Sequence, residues 1–249
     1  MLDNWQLLSV GFEHVQYEVA VVNATMKSVG EKTRALILER ALEIFRAQGF
    51  EAATIRDIAK SASVATGAAY YYFPSKEAIV AAYYDQVQEL HEAKVRESIL
   101  GTMGLRERLG IVFQSKLEIL KSDRKFLGAL FRYAGEPDHP LSVFGKGTAS
   151  QRAHSIGIFR EALTDSGISD ELRQLLPWAL WLLHLGAILF FIYDESAEQR
   201  RTRTLVNGVL DLVTQLLNLT SAPVIRTFLQ PFQGKLLGIL KEAGWPLES

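Results

Sequence analysis

The sequence predicts an all-α protein with a small N-terminal helical unit followed by a larger helical body. Apolar residues recur at the spacing of amphipathic helices along most of the chain. Short clusters of Gly, Pro, Asp and Ser separate these stretches, and sustained alternation with a period of two residues, which is typical of strands, does not occur. The chain of 249 residues is long enough for one large or two modest domains.

Composition narrows the classes of protein. With 48% hydrophobic and 22% charged residues, the chain can bury a sizeable core. Lys and Arg total 27 against 28 Asp and Glu, so a site for a polyanion must be a local feature. The absence of cysteine excludes disulfides, cysteine-ligated metals and a thiol nucleophile. A targeting segment needs a positively charged start, and the segment 1–26 has no Lys or Arg. We therefore expect a cytoplasmic protein.

Three helices are predicted in the N-terminal unit. The first covers 31–48 and ends at Gly49, a residue that readily adopts the left-handed conformation. Thr54 is a helix-capping residue type and begins a short second helix. After a tight turn, a third helix covers 66–72 and ends before Pro74, because the residue ahead of a proline is pushed out of the helical region.

The body is predicted to be helical throughout. Ser75 caps a long helix that reaches about Leu100. Further helices are predicted at 105–121, 124–135, 148–166, 170–194, 197–218 and 225–243. The predicted domains are an N-terminal extension at 1–29, a three-helix unit at 30–75, a helical body at 76–220 and a C-terminal helical extension at 221–249.

The second and third helices form a pattern typical of a helix-turn-helix motif, which reads the major groove of DNA. The third helix begins with the small residues Thr66 and Gly67, which let its backbone approach the groove. Tyrosines at 70–72 follow and are long enough to contact phosphates or base edges. The pattern predicts a DNA-binding helix at 66–72.

Residues 34–77 resemble the DNA-binding domain of the TetR family of bacterial transcriptional regulators. The matching residues are Thr-Ile-Arg-Asp-Ile-Ala at 54–59, Ala-Ser-Val-Ala-Thr-Gly at 62–67 and Tyr-Tyr-Tyr-Phe-Pro-Ser-Lys-Glu at 70–77. For the rest of the chain, only the total length and the all-helical character support the resemblance.

The resemblance implies a homodimeric, ligand-responsive regulator, a repressor that a small effector releases from a palindromic operator. It also implies a set of DNA contacts that comprises Thr54, Arg56, Thr66, Gly67, Tyr70, Tyr71, Tyr72 and Lys76. Thr54 is equally a helix cap, and Tyr71 is equally able to pack against the helical body.

Two positions depart from the family pattern. Ser63 stands where the family usually has glycine in the turn, so we expect a non-glycine residue in a strained conformation. Ala65 stands where a capping hydroxyl usually opens the recognition helix, and we expect Thr66 to take over the cap. Because of these differences, the operator sequence cannot be inferred from the operators of other family members.

The resemblance also assigns roles within the body. In the family, the last two helices of the common fold pair with their copies as a four-helix bundle, and the helices at 170–194 and 197–218 fit those positions. An effector pocket is expected among the middle helices, and an apolar or aromatic effector suits its candidate lining residues. The candidates, which are equally typical of an ordinary core, are Phe113, Phe131, His154, Trp178 and Trp181.

Two other classes of protein remain alternatives. The segment 175–193 is apolar and long enough to span a bilayer, which would fit a membrane-attached helical protein. We interpret it instead as a helix buried between its neighbours, with no membrane partner and with His184 as a hydrogen-bonded core histidine.

A helical enzyme is the other alternative, but the segment 144–148 lacks the Gly-Lys-Ser/Thr order of a phosphate loop. Paired histidines at metal spacing and a Gly-x-Ser-x-Gly elbow do not occur, so we expect no catalytic residue, metal or cofactor.

Overall fold

The computed structural model describes residues 29–220 and 223–243, and these ranges contain ten α-helices and no strand. The predicted all-α fold is confirmed. The predicted N-terminal extension lies outside the described residues, except for Val29. The helices are α1 (Val29–Gln48), α2 (Ile55–Ser61), α3 (Thr66–Tyr72), α4 (Lys76–Ser98), α5 (Leu105–Ile119), α6 (Arg124–Ala134), α7 (Ala149–Ala162), α8 (Asp170–Tyr193), α9 (Arg200–Thr220) and α10 (Pro223–Glu242).

The predicted helix boundaries differ from the observed ones mainly at the C-terminal ends. The largest difference is at α7, which was predicted to reach 166 and ends at Ala162. The chain then passes through Asp165 and Gly167, which both have positive φ angles, of 57° and 69°. Left-handed residues cannot continue a right-handed helix, so this turn separates α7 from α8.

The N-terminal unit packs α1, α2 and α3 around a small apolar core. Phe45, Ile58 and Phe73 are almost completely buried in it. Gly49 ends α1 with a φ of 87°, as the sequence predicts. Ser63 has a φ of 55°, so the turn between α2 and α3 holds a non-glycine residue in the left-handed region, as expected from the departure from the family pattern.

The body is built around α8, the one helix in the described ranges that is long and apolar enough to span a membrane. It packs against α5, α6, α7, α9 and α10. Trp178, Trp181 and Phe191 are buried among these neighbours. This packing buries one side of α8, while Leu189 and Tyr193 on its other side remain exposed.

A buried carboxylate fixes the turn between α8 and α9. Asp194 accepts hydrogen bonds from the backbone N of Ser196 at 2.9 Å and its Oγ at 2.6 Å. It also accepts from the backbone N of Thr202 at 2.8 Å and its Oγ1 at 2.7 Å. Burial opposes ionisation, but these hydrogen bonds outweigh it and hold the pKa of Asp194 well below its ordinary value. The ionised carboxylate therefore sets how α8 and α9 lie beside each other.

Candidate nucleic-acid interface

Thr54 caps the first helix of the helix-turn-helix motif. Its Oγ1 accepts from the backbone N of Asp57 at 3.2 Å and donates to Oδ2 of Asp57 at 2.6 Å. The predicted cap is confirmed. Thr54 is exposed, and its contact with a DNA phosphate stays a prediction.

The start of the recognition helix α3 differs from the expectation. Ala65 occupies the cap position, and no side chain bonds the first backbone N–H groups of α3. Thr66 is the first residue inside the helix, one position too late for a cap, so the expectation that it takes over this role is wrong.

The outer side of α3 is aromatic and exposed. Tyr70 is 52% exposed and Tyr71 is 82% exposed. Tyr72 is half-buried, and its ring meets the ring of Tyr71 edge-on with centroids 5.1 Å apart. The buried Ala69 holds the inner side of the helix against the unit. The other predicted DNA contacts that are exposed are Thr54, Arg56, Thr66 and Gly67.

Lys76 is bound within the protein. Its Nζ donates to the backbone carbonyls of Phe50 at 2.7 Å and Glu51 at 3.2 Å. The ammonium also lies 4.6 Å from the centroid of the Phe50 ring. Lys76 thus ties the start of α4 to the end of α1. The predicted contact between Lys76 and a DNA phosphate is not tested by this arrangement. A bound phosphate would have to share the ammonium with these carbonyls.

A second link joins the N-terminal unit to the body through Asp123, a buried residue just before α6. Its carboxylate accepts from Nε and Nη2 of Arg46 on α1, at 2.6 and 3.2 Å. It also accepts from the hydroxyl of Tyr83 on α4 at 2.8 Å. Burial and the Asp123 charge raise the pKa of Tyr83 far above its ordinary value, so this hydroxyl remains a donor. The rings of Phe126 and Phe45 stack beside this group, 5.6 Å apart.

We expect Asp123→Asn to lower the free energy of unfolding by about 2 kcal/mol, because the amide loses charge-assisted hydrogen bonds that the carboxylate makes in a partly buried site. Urea denaturation followed by circular dichroism measures this change. The matched control is Glu43→Gln, which alters an exposed ion pair with Arg40 and is expected to change stability by less than about 0.5 kcal/mol. Equal effects of the two variants would contradict a special role for Asp123.

The five predicted effector residues do not share one pocket. Phe113 is buried and lines a cavity of about 320 Å³ whose other walls are apolar residues of α8 and α9. Trp178 and Trp181 pack against each other in the core, with ring centroids 5.7 Å apart. Phe131 is half-buried, and His154 is exposed with its Nδ1 3.5 Å from Glu92 Oε1. Only Phe113 lines the cavity, and the effector roles of the other four stay predictions.

Sequence reasoning missed a polar cluster beside Phe113, which we call the His-Lys cluster and whose two histidines are buried. It consists of His91 on α4, Lys116 on α5 and His184 on α8. The expectation that His184 is buried is confirmed, but its Nε2 has no hydrogen-bond partner in the described part of the chain. The signal in the sequence was three polar residues on otherwise apolar helix faces, too far apart along the chain to be connected.

The fold and the exposed α3 define a helix-turn-helix protein with a separate helical domain. The sequence model for bacterial regulatory proteins of the tetR family matches residues 37–83. The model for the tetracyclin repressor-like C-terminal domain matches residues 108–232, half of the chain. The chain belongs to the TetR family.

Known regulators resemble the N-terminal part of the chain in sequence. The HTH-type transcriptional regulator UidR of Escherichia coli K12 is 41% identical over 76 residues, which is 30% of this chain and 39% of UidR. The HTH-type transcriptional regulator TtgR of Pseudomonas putida is 38% identical over 72 residues, 29% of this chain and 34% of TtgR. The matches therefore span less than half of these relatives.

Solved structures resemble most of the chain in fold. The TetR transcriptional regulator from Nitrosomonas europaea aligns with a TM-score of 0.58 at 21% identity, over 72% of this chain and 96% of that one. A regulatory protein of the tetR family from Rhodococcus aligns with a TM-score of 0.51 at 20% identity, over 75% and 97%. At these identities the likeness shows the common fold.

Proposed function

We propose that the protein is a cytoplasmic, ligand-responsive transcriptional regulator that binds a near-palindromic operator as a homodimer and represses transcription. The exposed tyrosines of α3 carry the proposal. A short helix with a small-residue start and two exposed aromatic side chains has the width and the reach to enter the major groove. Membership of the TetR family supports the same function.

An apolar surface supports the homodimer. We call it the α8–α9 face; it consists of Leu182, Leu189, Phe190, Tyr193, Leu205, Leu212, Leu216 and Leu219. On α9, these residues recur at spacings of seven, four and three positions, which place them along one side of the helix. Clustered exposed apolar residues are typical of protein–protein interfaces, and in the proposed homodimer a second copy of the same pair of helices covers this face as a four-helix bundle. The predicted pairing through 170–194 and 197–218 uses this face.

The links between the N-terminal unit and the body provide the route for the effector. Asp123 lies between α5 and α6 and bonds Arg46 of α1 and Tyr83 of α4. A ligand that prefers one arrangement of the body helices shifts the position of α1 and α4 through this carboxylate. The two recognition helices then no longer match their half-sites, so the ligand lowers the affinity for DNA. By thermodynamic linkage, bound DNA lowers the affinity for the ligand by the same factor.

Selection of bound fragments from a pool of random duplex DNA tests the proposed function. We expect enrichment of a near-palindrome whose half-site centres lie one helical turn apart or a multiple of it, about 34 Å per turn, because a two-fold dimer places two equal helices on one face of DNA. Failure of the dimeric protein to enrich any common sequence would contradict the proposal. Enrichment of an asymmetric site would retain DNA binding and refute the symmetric dimer.

A further inference from the structure

The His-Lys cluster occupies the interior of the body, where α4, α5 and α8 meet. The ring centroids of His91 and His184 are 5.9 Å apart. Both histidines are buried, with exposed fractions of 2% and 4%. Such a group of ionisable side chains is costly to bury without partners.

Each histidine has a ring nitrogen left unpaired. The Nε2 of His91 lies 2.9 Å from the backbone carbonyl of Val112. A carbonyl only accepts, so Nε2 carries the hydrogen and the neutral ring has its lone pair on Nδ1. That Nδ1 and the Nε2 of His184 have no partner among the described residues. Buried polar atoms are almost always hydrogen bonded, so the Nε2 of His184 indicates a missing partner, whereas the Nδ1 of His91 is an acceptor that would need a donor instead.

Lys116 is half-buried, and little negative charge surrounds its ammonium. Its Nζ donates to Gln88 Oε1 at 3.1 Å, an oxygen that also accepts from Ser155 Oγ at 2.8 Å. The nearby acid is Glu92, which accepts from the Gln88 amide at 3.2 Å and lies beside the exposed His154. Burial lowers the pKa of Lys116 to about 7. Burial, together with the charge of Lys116, lowers the pKa of His184 to about 3.

An apolar space adjoins the cluster. The ring of Phe113 lies 4.7 Å from the ring of His184, centroid to centroid. Phe113 also lines the cavity of about 320 Å³, whose remaining walls come from α8 and α9 and include Leu182 and Leu205 of the α8–α9 face, while none of the three cluster residues lines it. This volume lies within the range of small-molecule sites. The Phe113 ring therefore lies between the cluster and the cavity and contacts both.

We propose that the effector is an organic acid, whose carboxylate binds the His-Lys cluster and whose apolar body fills the cavity beside Phe113. This inference rests on the proposed function and names the chemical class of its effector. The carboxylate accepts from the Lys116 ammonium and from Nε2–H of His184. An anion in this position favours the charged form of Lys116, so binding takes up a proton at pH values above the pKa of the free lysine.

The test compares monocarboxylates with their neutral counterparts. Octanoate, decanoate, phenylacetate and 2-naphthoate are each paired with the primary amide of the same skeleton, and binding is measured by thermal shift and calorimetry on the full chain at pH 8. We expect at least one acid to bind, and its amide to bind at least about tenfold more weakly, because the amide lacks the charge. Calorimetry in buffers of different ionisation enthalpy is expected to show proton uptake by the protein.

Two variants locate the site. Lys116→Met replaces the half-buried ammonium with an apolar chain of similar length and is expected to fold and to weaken binding of the acid at least about tenfold. His184→Gln provides a second variant of the cluster with the same expected direction. The matched control is Lys125→Met, at an exposed lysine on α6, and it is expected to keep the affinity of the parent protein.

Three results would overturn the inference: no acid of the panel binds, amides bind as tightly as acids, or acid binding is unchanged in both cluster variants. The ligand-free protein is assayed in parallel for operator binding. If operator binding is intact, such a result refutes the organic-acid effector and leaves the regulator in place. If wild-type operator binding is absent, the proposed function fails instead.

Discussion

The double variant Leu212→Glu, Leu216→Glu is expected to be monomeric and to bind the operator more than about a thousandfold more weakly than the parent protein. Both leucines lie on the α8–α9 face and are more than 60% exposed in one chain. In the proposed dimer, a two-fold axis brings four new carboxylates into an apolar interface. A buried, unpaired charge costs several kcal/mol, so the interface does not form.

Operator affinity depends on the dimer because each subunit contacts one half-site. Once one recognition helix has bound, the second binds at a high effective concentration. A monomer loses this advantage, although its own recognition helix is unchanged. Analytical ultracentrifugation measures the mass of the variant, and fluorescence anisotropy with a labelled operator measures its affinity.

The matched control is Leu100→Glu, which places the same charge at an exposed leucine after the end of α4, outside the α8–α9 face. This variant is expected to remain dimeric and to bind the operator normally. If the double variant sediments as a dimer, the dimer uses another surface. If it is monomeric and still binds with the parent affinity, the two-half-site mode of binding is wrong.

The N-terminal unit could be predicted in detail because its signals are local. Gly49, Thr54 and Ser75 end or cap helices through their own backbone and side-chain chemistry, which needs no distant partner. The error at Thr66 is also local. We expected Thr66 to cap α3, but the helix begins one residue earlier than that role requires, so Thr66 is an ordinary helical residue. The left-handed conformation of Ser63 was predictable from the resemblance, because Ser63 stands where the family usually has glycine in this turn.

The effector region could not be predicted because its geometry depends on contacts between distant parts of the chain. His91, Lys116 and His184 come from three helices, and helical periodicity shows only that each lies on an apolar face. The bond between Arg46 and Asp123 likewise joins residues 77 positions apart. Aromatic residues such as Trp178 were plausible pocket residues by type, but the same type fills an ordinary core.

The double variant Tyr70→Ala, Tyr71→Ala is expected to lose at least about a hundredfold in operator affinity while keeping the dimer and the thermal stability of the parent protein. Because the side chains are 52% and 82% exposed, their removal costs little packing. Each contact with a base edge or phosphate contributes about 1–3 kcal/mol, and the dimer doubles the number lost. Fluorescence anisotropy with the selected operator measures the affinity, and differential scanning calorimetry measures the stability.

Two controls separate the possible roles of these tyrosines. Phe144→Ala removes an exposed aromatic residue of the body and is expected to leave operator affinity unchanged. Tyr70→Phe, Tyr71→Phe keeps the rings and removes only the hydroxyls. If the hydroxyls bond phosphates, this variant weakens specific and non-specific DNA alike, whereas loss of base contacts reduces discrimination between operator and random DNA. Undiminished affinity of the alanine variant would contradict the role of α3 as the recognition helix, because Tyr70 and Tyr71 are its two exposed tyrosines.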